Sequence, residues 1–423
     1  MNKLKKILIL LIFVLLFNTY SFSYAEDLIL SGEGAILIDV DSSQVLYEKN
    51  GNSKFFPAST TKIMTAILAI ELGDLKNIVT IDQEIVDLTD GSHIALEPGE
   101  QLTLEQLLHA LLIQSANDSA LAIAKHTSGS IDKFVQLMND KAKELGALHT
   151  NFVNPNGLHD DLHVTTPYDL ALIAKYAMEN ETFRNIATKP NYIIPITNKK
   201  TEPRSLNTTN RIFYSNEKIN VDGNLVPIKY DGVNGGKTGY TQIAQNCLVT
   251  SLEKDGHKLI SVVLKSSGKD VYSDTHKLLN YGLQNFENIN LGFANKFINN
   301  FKVNNGLAPF VSGVTKTDSF AIINKADKNN IEEKLILEKS LEAPILKDQT
   351  IGKVQYFLND KIIAETNIVA TMDVEIDPMS SLYMKLLSKW YIFVFILFII
   401  LRVTIINRRK KLRRLRRSRS YRA

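Results

Sequence analysis

Cysteine is almost missing from these 423 residues, with Cys247 the single example. That excludes an intrachain disulfide, and because no cysteine lies beside the N-terminal apolar segment it also excludes a lipid-anchored lipoprotein. Cys247 is expected to pack as a small apolar residue. No internal repeat or proline-rich linker is present, and 21 Gly and 11 Pro in so long a chain fit a folded protein of more than one domain. Basic charge is short where a nucleic acid would need it. The formal net charge is +4, but 14 of the 49 Lys and Arg lie in the first six residues or from Arg402 onward, leaving 35 against 45 Asp and Glu in between. A body with about ten excess negative charges excludes a nucleic-acid partner, whose phosphates demand a basic face.

The two ends carry what the body lacks. Lys3, Lys5 and Lys6 precede an apolar run from Ile7 to Phe17 and a polar stretch ending in Ala25, the three-part layout of a secretory signal with cleavage after Ala25. From Trp390 to Ile406 the chain is apolar except at Arg402 and Thr404, and Arg and Lys then crowd the tail from Arg408 to Arg422. Because this run is apolar on every side, it reads as a transmembrane helix rather than a surface helix with one apolar stripe. The positive-inside rule keeps the basic tail in the cytoplasm and the body on the extracytoplasmic side of a single-pass membrane protein.

Between the ends, periodicity predicts a hairpin over 35–39 and 44–49, then a largely buried helix over 60–72 stopped by Gly73. Further helices are expected over 104–113, 119–126, 131–145 and 167–178. Strands return at 236–241, 245–252 and 258–265, the last two joined by the turn Asp255-Gly256, and a helix over 273–285 closes the unit. Strands, a helical block and strands again imply an α+β domain: an antiparallel sheet covered by helices, with an all-helical part inserted. Residues 290–376 are rich in Val, Ile, Thr and Phe in short alternations, so a small all-β domain should follow. The expected division is signal 1–25, first domain 26–288, β-rich domain 289–378, linker and transmembrane helix 379–406, and basic tail 407–423.

Ser-x-x-Lys is a weak motif, starting here at Ser59, Ser130, Ser215, Ser251 and Ser266. Only Ser59 stands where a long apolar helix begins, so that Lys62 lies one turn on along the same face. A hydroxyl there feels the positive helix end, and an amine whose pKa is lowered by burial or a neighbouring cation can take its proton. The second element is Ser115-Ala116-Asn117, between two apolar helical stretches; Ser205-Leu206-Asn207 has the same form. The third is Gly235-Gly236-Lys237-Thr238-Gly239-Tyr240-Thr241, holding the one Lys-Thr-Gly of the chain. Its glycines are expected to let another backbone, such as a peptide substrate, pair closely with the strand.

Ser59-x-x-Lys62, Ser115-x-Asn117 and Lys237-Thr238-Gly239 occur in that order, and residues 30–285 resemble the low-molecular-mass penicillin-binding proteins, the serine D-alanyl-D-alanine carboxypeptidases. Asn154 to Leu158 and Thr165 to Ala171 look like further stretches of that family, and the region after 290 is similar to its accessory C-terminal domain. The resemblance implies a β-lactamase/transpeptidase-like fold, no cofactor and no metal, peptidoglycan stem peptides as substrate, and β-lactam antibiotics as covalent inhibitors. It also implies Ser59 as acyl-ester nucleophile, Lys62 as general base, Ser115 and Asn117 beside them, and Lys237, Thr238, Gly239 and Tyr240 on the substrate. The oxyanion would sit between the backbone N–H groups of Ser59 and Tyr240. One departure stands out: the family often has an arginine where this chain has Val271, and Lys269 is the nearby cation left to hold a substrate carboxylate.

Four other readings are weaker. A β-lactamase needs a carboxylate to activate the deacylating water, and the motif that begins at Glu181 lies far past Asn117; D,D-endopeptidase or transpeptidase activity would use the same acyl-enzyme. A zinc peptidase would use His159 and His163, but the glutamate beside the first histidine is missing. A catalytically silent wall-binding module would not need three intact motifs.

Overall fold

The computed structural model describes residues 28–337, 340–378, 386–387 and 389–420. The expected signal segment lies outside them. The described residues divide after Glu287 into two compact units.

In the first unit the apolar strand β1 (Gly34–Asp39) turns through Asp41 to Ser43 into β2 (Val45–Lys49). Helix α1 (Lys62–Leu72) follows; its first eight residues are buried, as befits a helix apolar all round. A helical block comes next, with α2 (Asn117–Ser128), the strongly amphipathic α3 (Ile131–Glu144), and α4 (Pro167–Glu179), which starts with Thr166 as N-cap and proline in the first turn. The chain then returns to the sheet as β3 (Val233–Thr241), β4 (Gln245–Lys254) and β5 (His257–Ser266), and α5 (Asp270–Asn285) packs back on β5.

The sheet order is β2-β1-β5-β4-β3, antiparallel throughout. Strand β3 is therefore an edge, with one side open for pairing. Its register sets Lys237 opposite Val249 and Gly239 opposite Cys247. Along β3 the buried residues are Gly235, Lys237 and Gly239, the period-2 face, whereas Tyr240 is exposed. Cys247 is buried as a small apolar residue would be. Three two-stranded ribbons, 78–80 with 101–103, 191–194 with 204–207 and 218–221 with 224–227, have no counterpart in the periodicity; each is too short to display it.

The second unit holds a six-stranded sheet built from β6 (Phe297–Asn304), β7 (Phe310–Thr315), β8 (Ile331–Leu337), β9 (Leu341–Glu342), β10 (Thr350–Leu358) and β11 (Lys361–Ala370), in the order β8-β10-β11-β7-β6-β9. Phe301, Val311, Ile351, Val354, Tyr356 and Ile368 form its core. Farther on, α6 (Trp390–Ser420) includes, among the described residues, the one helix long and apolar enough to cross a membrane, Trp390–Arg414, none of it buried in protein.

Candidate active site

Pro57 leads into a single 3₁₀ turn, Ala58–Thr61, that runs directly into α1. The tighter winding stacks residues three apart, so Lys62 comes to lie over Ser59. Lys62 Nζ is 2.8 Å from Ser59 Oγ, 2.7 Å from Asn117 Oδ1 and 2.6 Å from the Asn156 carbonyl oxygen. Its side chain is fully buried, and burial, reinforced by the charge of Lys237 and opposed by that of Asp118, holds its pKa well below the usual lysine value. A neutral amine has two N–H bonds and one lone pair. In that state the acceptors at Asn117 and Asn156 would take the two hydrogens and leave the lone pair facing the Ser59 hydroxyl.

Ser115 ends an irregular π-type turn, Ala110–Gln114, in the left-handed conformation at φ 61°. Such backbone costs a non-glycine residue about 1–3 kcal/mol and persists where the surroundings demand it. Here it directs Ser115 Oγ to accept from Lys237 Nζ at 2.9 Å. Asn117 opens α2 and is held on both sides: its amide NH₂ donates to the Asp90 carbonyl at 2.5 Å while its oxygen accepts from Lys62. Asp118 accepts from the backbone of Ile94 and Leu96, which ties the 90–96 loop to the start of α2.

Lys237 is 1% exposed, and burial brings its pKa down to about 7. Thr238 meets Thr209 hydroxyl to hydroxyl at 3.1 Å on the accessible side of the edge strand. Gly239 lies against the nucleophile's own loop: a Cβ there would stand 3.0 Å from the Pro57 oxygen and 3.1 Å from Ser59 N. The expectation that the preceding glycines admit a substrate is corrected here. A side chain at Gly235 would strike Met178, and one at Gly236, where φ is +146°, would overlap the Val249 carbonyl. Both glycines make room for the protein's own packing.

Residues 22–268 match the family profile described as D-alanyl-D-alanine carboxypeptidase, well over half of the chain. The chain belongs to that family. Residues 286–376 match the C-terminal domain of penicillin-binding protein 5. Among relatives of this carboxypeptidase family, D-alanyl-D-alanine carboxypeptidase DacF of Bacillus subtilis is 32% identical over 388 residues, covering 89% of this chain and 95% of the relative. DacA of Haemophilus influenzae is 30% identical over 353 residues, covering 80% and 84%. The crystal structure of penicillin-binding protein 5 from Haemophilus influenzae aligns with a TM-score of 0.68 at 27% identity, over 83% of this chain and all of that one. The fold is thus that of a serine-type carboxypeptidase followed by the family's all-β domain.

Within this carboxypeptidase fold the other sequence candidates fall elsewhere. Ser130 Oγ caps α3 by accepting from the Lys133 backbone, and Ser205 lies on a surface ribbon. His163 is buried with both ring nitrogens engaged, one with Thr61 Oγ1 at 2.8 Å and one accepting from Val153 N at 3.0 Å; burial lowers its pKa to about 4. His159 lies edge-on to Phe56. Glu181 is exposed in the first turn of a short helix. Val271 is buried, and Lys269 is paired with Glu217, which Arg211 also contacts. The Asn156 carbonyl was not among the site candidates, since a backbone oxygen leaves no residue signature. Gly157 beside it was the available clue: φ is +85°, and any Cβ would overlap the Ala58 carbonyl.

Proposed function

We propose that this chain removes the terminal D-alanine from peptidoglycan stem peptides through an acyl-enzyme on Ser59. The observation that carries the reading is the fully buried Lys62, its pKa lowered chiefly by that burial, held 2.8 Å from Ser59 Oγ by two acceptors. Lys62 takes the hydroxyl proton as Ser59 Oγ attacks the penultimate carbonyl carbon. The developing oxyanion would be held by the N–H groups of Ser59 and Tyr240, the latter on the edge strand β3. Lys237 and Thr238 hold the carboxylate of the departing D-alanine. As the C–N bond breaks, its nitrogen takes a proton from Lys62 by way of Ser115, whose Oγ already bonds Lys237. Water then cleaves the ester, with Lys62 again accepting a proton. A β-lactam ring would acylate the same hydroxyl.

Residues 26–288 serve as the catalytic domain, 289–378 as an accessory domain, and the apolar part of α6 as a membrane anchor that leaves the catalytic unit outside the cytoplasm. The test is release of D-alanine from an acetylated D-Ala-D-Ala peptide by purified protein. Release that is lost in Ser59→Ala supports the reading; undiminished release by that variant contradicts it.

A further inference from the structure

At the end of β3 away from Ser59 lies a cavity of about 460 Å³ that the reaction above does not use. Asn234 lines it, and Gly239, which touches the Ser59 loop, is five residues farther along β3, about 16 Å at strand spacing. One wall is made by α4 and the short helix Glu181–Ala187, the other by the ends of β3 and β4 and the start of β5. Val40, Met178 and Leu252 supply its apolar floor. Ser251 also faces it, and only 5% of that residue is exposed, yet among the described residues its Oγ has no hydrogen-bond partner. A hydroxyl so deeply buried ordinarily has one, so the cavity suits a polar ligand.

The charges around it sort by wall. On the helix side Lys175 donates to Ser43 Oγ at 2.5 Å and Arg184 donates to the Met178 carbonyl, and among the described residues neither meets a carboxylate. Glu179 stands exposed beside them, so this wall keeps one positive charge in excess. On the sheet side Lys258 and Asp41 cancel at 3.2 Å, which leaves Glu253, whose carboxylate accepts from Asn234 Nδ2 at 3.4 Å. That wall is negative. The ligand that fits has an anionic end, a cationic end and a polar middle. A cube of the cavity's volume is about 8 Å on an edge, and two extended residues span about 7 Å.

We propose that this cavity binds a dipeptide with both ends free, its carboxylate on Arg184 and Lys175, its ammonium on Glu253, and its peptide group on Ser251 Oγ. The site is separate from the serine centre and does not rest on the carboxypeptidase reading. Calorimetric titration of detergent-solubilised full-length protein with L-alanyl-L-alanine, its N-acetyl form and its C-terminal amide separates the two ends. The free dipeptide should bind saturably, and each blocked form about tenfold more weakly, the range for one charge-assisted contact at a partly exposed site. In Arg184→Met the dipeptide and its amide should bind equally, and in Glu253→Gln the dipeptide and its acetylated form should do so. Circular dichroism melting reports that each variant is folded. Protein first labelled with penicillin should bind the dipeptide as well as unlabelled protein does. No saturation, equal affinity for all three compounds, discrimination that survives in either variant, or binding lost on penicillin labelling overturns the site. Failure of penicillin to attach to the wild type counts against the carboxypeptidase reading alone, and the three affinities still decide the cavity.

Discussion

At the residue scale two buried lysines, Lys62 and Lys237, divide the proposed chemistry. Lys62 is useful when neutral, and its pKa is depressed by burial and by Lys237. Lys237, brought to about 7 by burial, carries a stability cost with a definite sign. Between pH 7 and 10.5 the unfolded chain holds this proton and the folded chain does not, so stability rises with pH across that window, and the cost is fully present below about 7. Lys237→Met should therefore raise the melting temperature of the catalytic unit at pH 6 by several degrees while reducing D-alanine release at least a hundredfold. The stabilisation should shrink toward pH 10, as a calorimetric pH series would record. Losing the Lys237 charge should also move the acid limb of penicillin acylation to higher pH, because one of the influences lowering the Lys62 pKa is gone. Removing Lys62 itself, as in Lys62→Met, should cut acylation at least a thousandfold with circular dichroism unchanged. The juxtaposition was legible in sequence: Ser59, Lys62, Ser115, Asn117 and Lys237 do come together. The Asn156 carbonyl was hidden because main-chain acceptors are set by geometry, and the pairing of Lys269 with Glu217 was hidden because 52 positions separate them.

Among the elements, the 3₁₀ turn under Ser59 and the Pro155-Asn156-Gly157 turn pressed against it form the cradle. Thr65 Oγ1 donates to the Pro155 carbonyl at 2.5 Å and fastens that turn to α1. Gly157→Ala has no room against Ala58 and an unfavourable φ, so penicillin acylation should slow at least a hundredfold. Gly129→Ala is the control: φ is +84° there too, but nothing lies within 4 Å. It should cost about 1–2 kcal/mol of stability for the left-handed backbone alone, with the acylation rate of wild type in stopped-flow measurements. Equal acylation rates in the two alanine variants would remove the cradle from the account. Long elements with a clear period, such as α1, α3 and the β4–β5 hairpin, were readable because one face or all faces are apolar. The π-type turn before Ser115 was not: its apolar run Ala110 to Ile113 continues the helical pattern, and the register change lies in the hydrogen bonds.

For the whole molecule, catalysis and anchoring are assigned to separate stretches of chain. Every residue of the proposed catalytic site lies between Ser59 and Tyr240, and the apolar helix begins at Trp390. Protein cut after Pro378 should be soluble without detergent and retain kcat/KM within about twofold. The full-length chain should stay in the membrane pellet through high salt and alkaline wash, since an apolar span is held by hydrophobic burial that salt does not screen. Release by salt would instead mark a basic helix lying on the surface. The sign of the body charge and the apolar C-terminal run were open to reading because composition alone carries them. The edge position of β3, which makes the site accessible, depends on a strand order that no local pattern encodes. The most direct test of the whole account is to label the protein with fluorescent penicillin, digest it with trypsin and sequence the labelled peptide by mass spectrometry. The account predicts one labelled peptide, Phe55 to Lys62, with the acyl group on Ser59; a label on any other residue, or an unlabelled protein that still releases D-alanine, would contradict it.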